Sequence, residues 1–342
     1  MIYHPCTDLE EGARMPGTIW LSRLGAALMG TTAAVGVFAA PAQAATTGRV
    51  YVQYAEPGDP GQIVFEAGPG RRNAVVVTRS GRTVTIDDRV TVRAGKGCKA
   101  VKGDKTKVRC TPKETQGVTV FLGSGDDRVT NRGNVPLFAL GGSGTDTLIG
   151  GSGTDLLQGG TGADRLYGQG GADQLYGGSG HDLLVAGAGD DGLDGGTGND
   201  REYGGDGNDL HIQGRDTTAS DADWLSAGNG TDSVYYTYRT KGISADSDGV
   251  RGDDGRNGEG DTILSAETLY GGDGDDRLYG TGAADTLIGF GGADQIHGLG
   301  GDDHLDAGHD DDVDLLDGGD NGAAGDTCVA PGDDDTSVNC ER

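Results

Sequence analysis

Residues 141–212 divide without remainder into eight nonapeptides: GGSGTDTLI, GGSGTDLLQ, GGTGADRLY, GQGGADQLY, GGSGHDLLV, AGAGDDGLD, GGTGNDREY and GGDGNDLHI. The sixth place is always aspartate: Asp146, Asp155, Asp164, Asp173, Asp182, Asp191, Asp200 and Asp209. The eighth is leucine six times, at Leu148, Leu157, Leu166, Leu175, Leu184 and Leu193. It then fails as Glu202 and His211, and the apolar residue is read as slipping to Tyr203 and Ile212. A fixed short period of this kind predicts a solenoid. Glycines at places one, two and four allow positive φ and a crowded turn. Places seven to nine are too few for a helix and alternate as a strand does. Each repeat is therefore a turn plus a short strand, and two repeats make one coil. Asp146 and Asp164 then stack about 4.8 Å apart. Two carboxylates at ~5 Å repel by roughly 3 kcal/mol at an effective dielectric of 20. Nothing basic recurs with the period, so the compensating charge has to come from outside. Oxygen ligands on a flexible glycine-rich loop suit a hard divalent cation, calcium before magnesium.

The pattern G-G-x-G-x-D-x-L-x resembles the RTX, or hemolysin-type, calcium-binding repeat, over about half of the chain. The resemblance implies an all-β fold, a parallel β-roll. It also implies that turn carbonyls and sixth-place aspartates bind multiple calcium ions between successive coils. GQGGADQLY and AGAGDDGLD each depart at one glycine place, so the pattern supports their sites less strongly. The pattern extends beyond the main block. LGSGDDRVT puts Asp127 in the sixth place, and AGNGTDSVY does the same for Asp232. A second block, GGDGDDRLY, GTGAADTLI, GFGGADQIH and GLGGDDHLD, adds Asp276, Asp285, Asp294 and Asp303. GTGAADTLI has Ala283 for its fourth-place glycine, so the Asp285 turn is expected to bind poorly. Residues 131–140, with Pro136, read as a linker that breaks the phase, and residues 213–270 as an irregular insertion between blocks. The insertion reads either as a loop whose aromatics cover the roll or as a ligand site, the second suggested by Trp224, Tyr235, Tyr236 and Tyr238.

The expected division is therefore an export signal over 1–44, an N-terminal β cap domain over 45–121, roll blocks over 122–212 and 271–326 flanking the insertion, and a C-terminal disulfide cap over 327–342. In the signal, an apolar run over 24–40 follows Arg23, and Ala42-Gln43-Ala44 fits a small-x-small cleavage pattern. Residues 1–14 carry Asp8, Glu10 and Glu11, so Met15 is the candidate start of translation. Four cysteines remain beyond the signal, Cys98, Cys110, Cys328 and Cys340. In an exported chain they suggest disulfides, with three possible connectivities. The segment GCKAVKGDKTKVRC resembles the disulfide loop that precedes nonapeptide repeats in some exported actinobacterial calcium-binding proteins, which implies a Cys98–Cys110 pair.

Charge bounds the partners. The formal net charge is −27, which argues against nucleic acid and anionic membranes. Residues 45–115 nevertheless hold 14 Lys and Arg against 7 Asp and Glu, whereas 116–342 hold 11 against 44. The basic segment reads either as a patch for an acidic partner or, preferably, as a solvated cap over the first coil.

Catalytic signatures do not occur. There is no H-E-x-x-H and no G-x-S-x-G, and His297, His304 and His309 lack metal spacing. Asp246-Ser247-Asp248-Gly249 has no suitable bidentate Glu after it. The Arg-Gly-Asp at 251–253 is expected by chance in so Gly/Asp-rich a chain. Toxins with this repeat carry an apolar pore-forming region, and none follows residue 44. The expectation is a secreted, non-enzymatic calcium-binding protein with a structural or interaction role and an unknown protein partner. A secreted enzyme that uses the repeats as a folding module, and a surface adhesin that uses them as a spacer, are the alternatives.

Overall fold

A computed structural model describes residues 47–54, 60–214, 221–250, 252, 254–257, 259–322, 324–332 and 334–341. The expected export signal, the Met15 start and Arg251 and Asp253 of the tripeptide lie outside the described residues. No helix occurs among those described, so none is long and apolar enough to cross a membrane.

The nonapeptide is half of an 18-residue coil. Strand Leu156–Thr161 pairs in parallel with Gln174–Ser179, with Leu157 opposite Leu175. Strand Arg165–Gly170 pairs with Leu183–Ala188, with Leu166 opposite Leu184. Alternate repeats thus feed two facing sheets, and the chain is a parallel β-roll. In residues 141–206 the strands are longer than the three residues expected, whereas those of the first and third sheets over 268–317 keep three. Most of the longer ones run from place seven into the first three places of the next repeat, as Leu156–Thr161 does. Place eight points inward, and all six of its leucines are fully buried.

Glu202 and His211 do not give up place eight. Glu202 pairs opposite Leu184, and His211 opposite Leu193. Both are fully buried, while Tyr203 is exposed. The apolar slip to Tyr203 and Ile212 does not happen, because ladder pairing on both sides fixes the register, and a one-residue slip would turn every side chain over. The apolar core is consequently split. One cluster runs from Val50 to Leu193 and a second from Leu225 to Leu316, with the Glu202–His211 layer between them.

The roll begins well before the first readable repeat. Gly61–Glu66 pairs in parallel with Thr115–Ser124, and Ala74–Ser80 with Arg128–Asn131. Residues 61–80 therefore supply the first coil. Gly48–Gln53 and Val92–Ala94 extend one sheet, and Thr83–Asp87, Asp104–Cys110 and Cys98–Val101 the other. The basic segment adds strands to the roll's own sheets and shares its core. Cys98 and Cys110 face each other across two antiparallel strands and are disulfide-bonded.

Residues 131–140 form a half-coil with one extra residue. Leu137–Ser143 pairs with Thr115–Ser124 on one side and Leu156–Thr161 on the other. Much of 213–270 is also roll. Trp224–Asn229 and Thr262–Leu264 continue the second sheet, and Ser233–Tyr235 and Thr268–Tyr270 the first. Among the described residues of this segment, the two-sheet order changes between Tyr235 and Thr262. There the chain starts a third sheet with Ile243–Ala245, then doubles back to place Thr262–Leu264 as the last strand of the second. Tyr236 and Arg239 are buried at this junction. Tyr236 donates to Asp261 Oδ2 at 3.3 Å, and Arg239 Nη1 to Glu259 Oε1 at 2.6 Å. Tyr235 stacks on Tyr270 with centroids 4.0 Å apart. Beyond the junction, the first and third sheets continue to Thr327–Val329 and Thr336–Val338, which Cys328–Cys340 joins.

Candidate metal centre

The sixth-place aspartates stand where each turn enters a strand, and the coil stacks them in three rows. Asp127, Asp146, Asp164, Asp182 and Asp200 lead into the second sheet. Asp155, Asp173, Asp191, Asp209, Asp232, Asp285 and Asp303 lead into the first, and Asp276 and Asp294 into the third. All fourteen are buried.

One carboxylate oxygen is used in the same way down each row. The backbone N–H of Asp146 donates to Asp164 Oδ1 at 2.7 Å, that of Asp164 to Asp182 Oδ1 at 2.7 Å, and that of Asp182 to Asp200 Oδ1 at 2.7 Å. The other long row repeats this from Asp155 to Asp173, Asp191, Asp209 and Asp232. The second oxygen differs. In Asp127, Asp146, Asp155, Asp164, Asp173, Asp182, Asp191, Asp200, Asp209, Asp232, Asp294 and Asp303, Oδ2 is buried with no hydrogen-bond partner. A buried anionic oxygen left unpaired is costly. Asp173 and Asp191, in the two repeats that depart from the pattern, keep the same arrangement as their neighbours. Asp276 and Asp285 do not. Gly272 N–H donates to Asp276 Oδ2 at 2.6 Å, and Thr281 donates to Asp285 Oδ2 through its N–H at 2.5 Å and its hydroxyl at 2.9 Å.

The glycines explain what else reaches the orphaned oxygens. A Cβ on Gly159 would lie 2.5 Å from Asp164 Oδ2 and 2.7 Å from the Gly177 carbonyl oxygen of the next coil. One on Gly162, where φ is +132°, would lie 1.9 Å from the Gly144 carbonyl oxygen. The bare turns let carbonyls and carboxylates of adjacent coils crowd the same space. Electrostatics agrees. Burial, reinforced by neighbouring carboxylates and opposed by the donated N–H, raises Asp146, Asp191 and Asp200 to about 7. Asp155 and Asp294 rise to about 8 for the same reasons. A stack of buried, mutually repelling oxygens with no recurring base fits a hard cation such as calcium.

The model of the RTX calcium-binding nonapeptide repeat matches four times, over residues 140–175, 176–210, 265–289 and 288–321. This chain carries RTX calcium-binding repeats. No curated protein matches it. The RTX roll is longer than the matched spans, and its rows contain acids that the fixed period conceals. Asp223 and Asp261 extend one row, accepting from the N–H of Asp200 at 2.8 Å and of Asp223 at 3.0 Å. Glu267 follows Asp232, Asp326 follows Asp303, and Asp314 and Asp335 follow Asp294. Their spacings of 20 to 38 residues hide them. The signal that could have found several of them is an aspartate two places before an aliphatic residue, as in Asp223-Trp224-Leu225. Asn73, Leu137 and Ile243 donate to the next aspartate of a row in the same way without being acids themselves. Of the histidines read as metal-free, His297 stacks on Tyr279 with centroids 5.1 Å apart.

Proposed function

We propose that this protein is exported and folds its RTX roll around multiple calcium ions, serving a structural or interaction role and not a catalytic one. The observation that carries the calcium reading is the row of buried, partnerless Oδ2 atoms. The aspartates at these positions, with turn carbonyls beside them, would hold the ions. Bound calcium would supply the positive charge that offsets desolvation and carboxylate repulsion. Extracellular calcium modules bind at roughly 10⁻⁴–10⁻³ M, so the roll stays unfolded at cytosolic calcium and orders outside the cell. The signal-like segment 1–44 and two disulfides support export. The absence of a nucleophile–base motif in the sequence supports a non-enzymatic role.

Two measurements test this. Limited proteolysis should leave residues 122–326 intact in millimolar calcium and digest them in chelator; equal digestion in both contradicts the calcium reading. Expression in the native host, with amino-terminal sequencing of the protein from the medium, should give a chain starting near Ala45. Retention in the cells contradicts export alone.

A further inference from the structure

The polar layer at Glu202 and His211 needs a reason. At the other six nonapeptides of residues 141–212 place eight is leucine, whose burial is worth about 1.5–3 kcal/mol. A buried polar pair, even hydrogen-bonded, is at best a neutral exchange for that. The two side chains come from opposite sheets, Arg201–Asp206 and Leu210–Ile212, and meet across the interior with His211 Nδ1 2.7 Å from Glu202 Oε2. A carboxylate acceptor places the proton on Nδ1. The other oxygen, Glu202 Oε1, accepts the N–H of Gly195 at 2.8 Å.

Gly195 is the first-place glycine of the Asp200 repeat, GGTGNDREY. A Cβ there would lie 2.5 Å from Asp200 Oδ2 and 2.9 Å from Glu202 Oε1. Two buried carboxylates therefore converge on one bare α-carbon. Asp200 reaches it from the turn, and its Oδ2 has no partner. Glu202 reaches it from the core. No other first-place glycine of the first block has a second side-chain carboxylate this close.

We propose that Glu202 supplies a second, interior carboxylate to the calcium position built on Asp200, with His211 as its positioning residue. This rests on the calcium reading of the roll. An added anionic ligand on a rigid strand tightens an oxygen site, so this position fills before its neighbours.

The test is a calcium titration of the full chain by calorimetry, with β structure followed by circular dichroism. Wild type should show one ion tighter than the rest. Glu202→Gln and Glu202→Leu should each weaken that ion by about tenfold or more while reaching wild-type β signal at saturating calcium. Glu202→Leu installs the residue common at place eight, so misfolding is not the expected cause of a loss. His211→Leu should weaken the same ion less, and His211→Gln should recover part of the loss. In a cycle with Asp200→Ala, the Glu202→Leu change should add little further, because both act on one ion. An unchanged isotherm in Glu202→Leu, or losses that add fully with Asp200→Ala, would overturn the proposal and leave a structural pair. A wild-type chain that binds no calcium would instead sink the reading on which the proposal rests.

Discussion

Each sixth-place aspartate divides its work between two oxygens, and the division ranks the sites. Asp155 and Asp164 give Oδ1 to a backbone N–H and leave Oδ2 bare. Asp155→Ala and Asp164→Ala should each lower the calcium stoichiometry in a calorimetric titration. Asp285→Ala should change it little, because Thr281 already satisfies Asp285 Oδ2 and Ala283 replaces the fourth-place glycine. Equal losses would refute the ranking. The same oxygens set the pH dependence of the metal-free chain. Burial raises Asp146, Asp155, Asp191 and Asp294 from the ordinary 3.8 to between about 7 and about 8. A carboxyl with a raised folded-state pKa favours folding fully below its unfolded pKa, and that contribution is lost as pH rises through the folded value. Without calcium, β structure should therefore be greatest near pH 4 and disappear between about pH 6 and pH 8. With calcium the order reverses, since protons compete with the ion. A metal-free chain that gained β structure on going from pH 4 to pH 8 would contradict this.

Turn and strand explain which parts of the fold could be read from sequence. A Cβ at Gly162 collides with a backbone carbonyl at positive φ, so Gly162→Ala should destabilise the calcium-loaded roll by at least about 1–3 kcal/mol. Gln169 occupies the second place of its repeat at φ +80°, where most repeats have glycine. Gln169→Gly should stabilise by up to about 1 kcal/mol in thermal melts. A loss on Gln169→Gly comparable to that of Gly162→Ala would contradict the strain argument. The parallel roll and its coil period were legible wherever glycine and aspartate recurred every nine residues. Asn73 and Leu137 were not, because their half-coils keep the backbone ladder without the side-chain signature. Residues 221–235 were half hidden by a spacing of 23. The buried Glu202–His211 layer was misread for a physical reason. Composition put an apolar residue next door, whereas ladder hydrogen bonds on both flanks held the register. The antiparallel detour at 236–261 breaks the period altogether and is visible only in the strand order.

For the whole molecule, the two disulfides bracket a single acidic stack. Cys98–Cys110 joins the outermost strand of the second sheet to its neighbour, and Cys328–Cys340 holds the last strands of the other two. Strand edges at a solenoid's ends are sites of association, and a loop of about 12–15 residues contributes ~3 kcal/mol through the unfolded state. Reduction in saturating calcium should promote end-to-end association in sedimentation velocity while leaving the calcium stoichiometry nearly unchanged. Loss of most bound calcium on reduction would assign the bridges to the whole roll. The central claim is that this stack cannot hold itself together. Each repeat buries one place-eight side chain to offset the backbone entropy of ordering nine residues, and it stacks unpaired carboxylate oxygens that repel one another. Metal binding then supplies the folding free energy. Far-UV circular dichroism of the oxidised chain at pH 7.5 tests it most directly: a β-rich spectrum in millimolar calcium should collapse towards that of an unfolded chain in chelator and return when calcium is restored, whereas an unchanged β-rich spectrum in chelator would contradict the account.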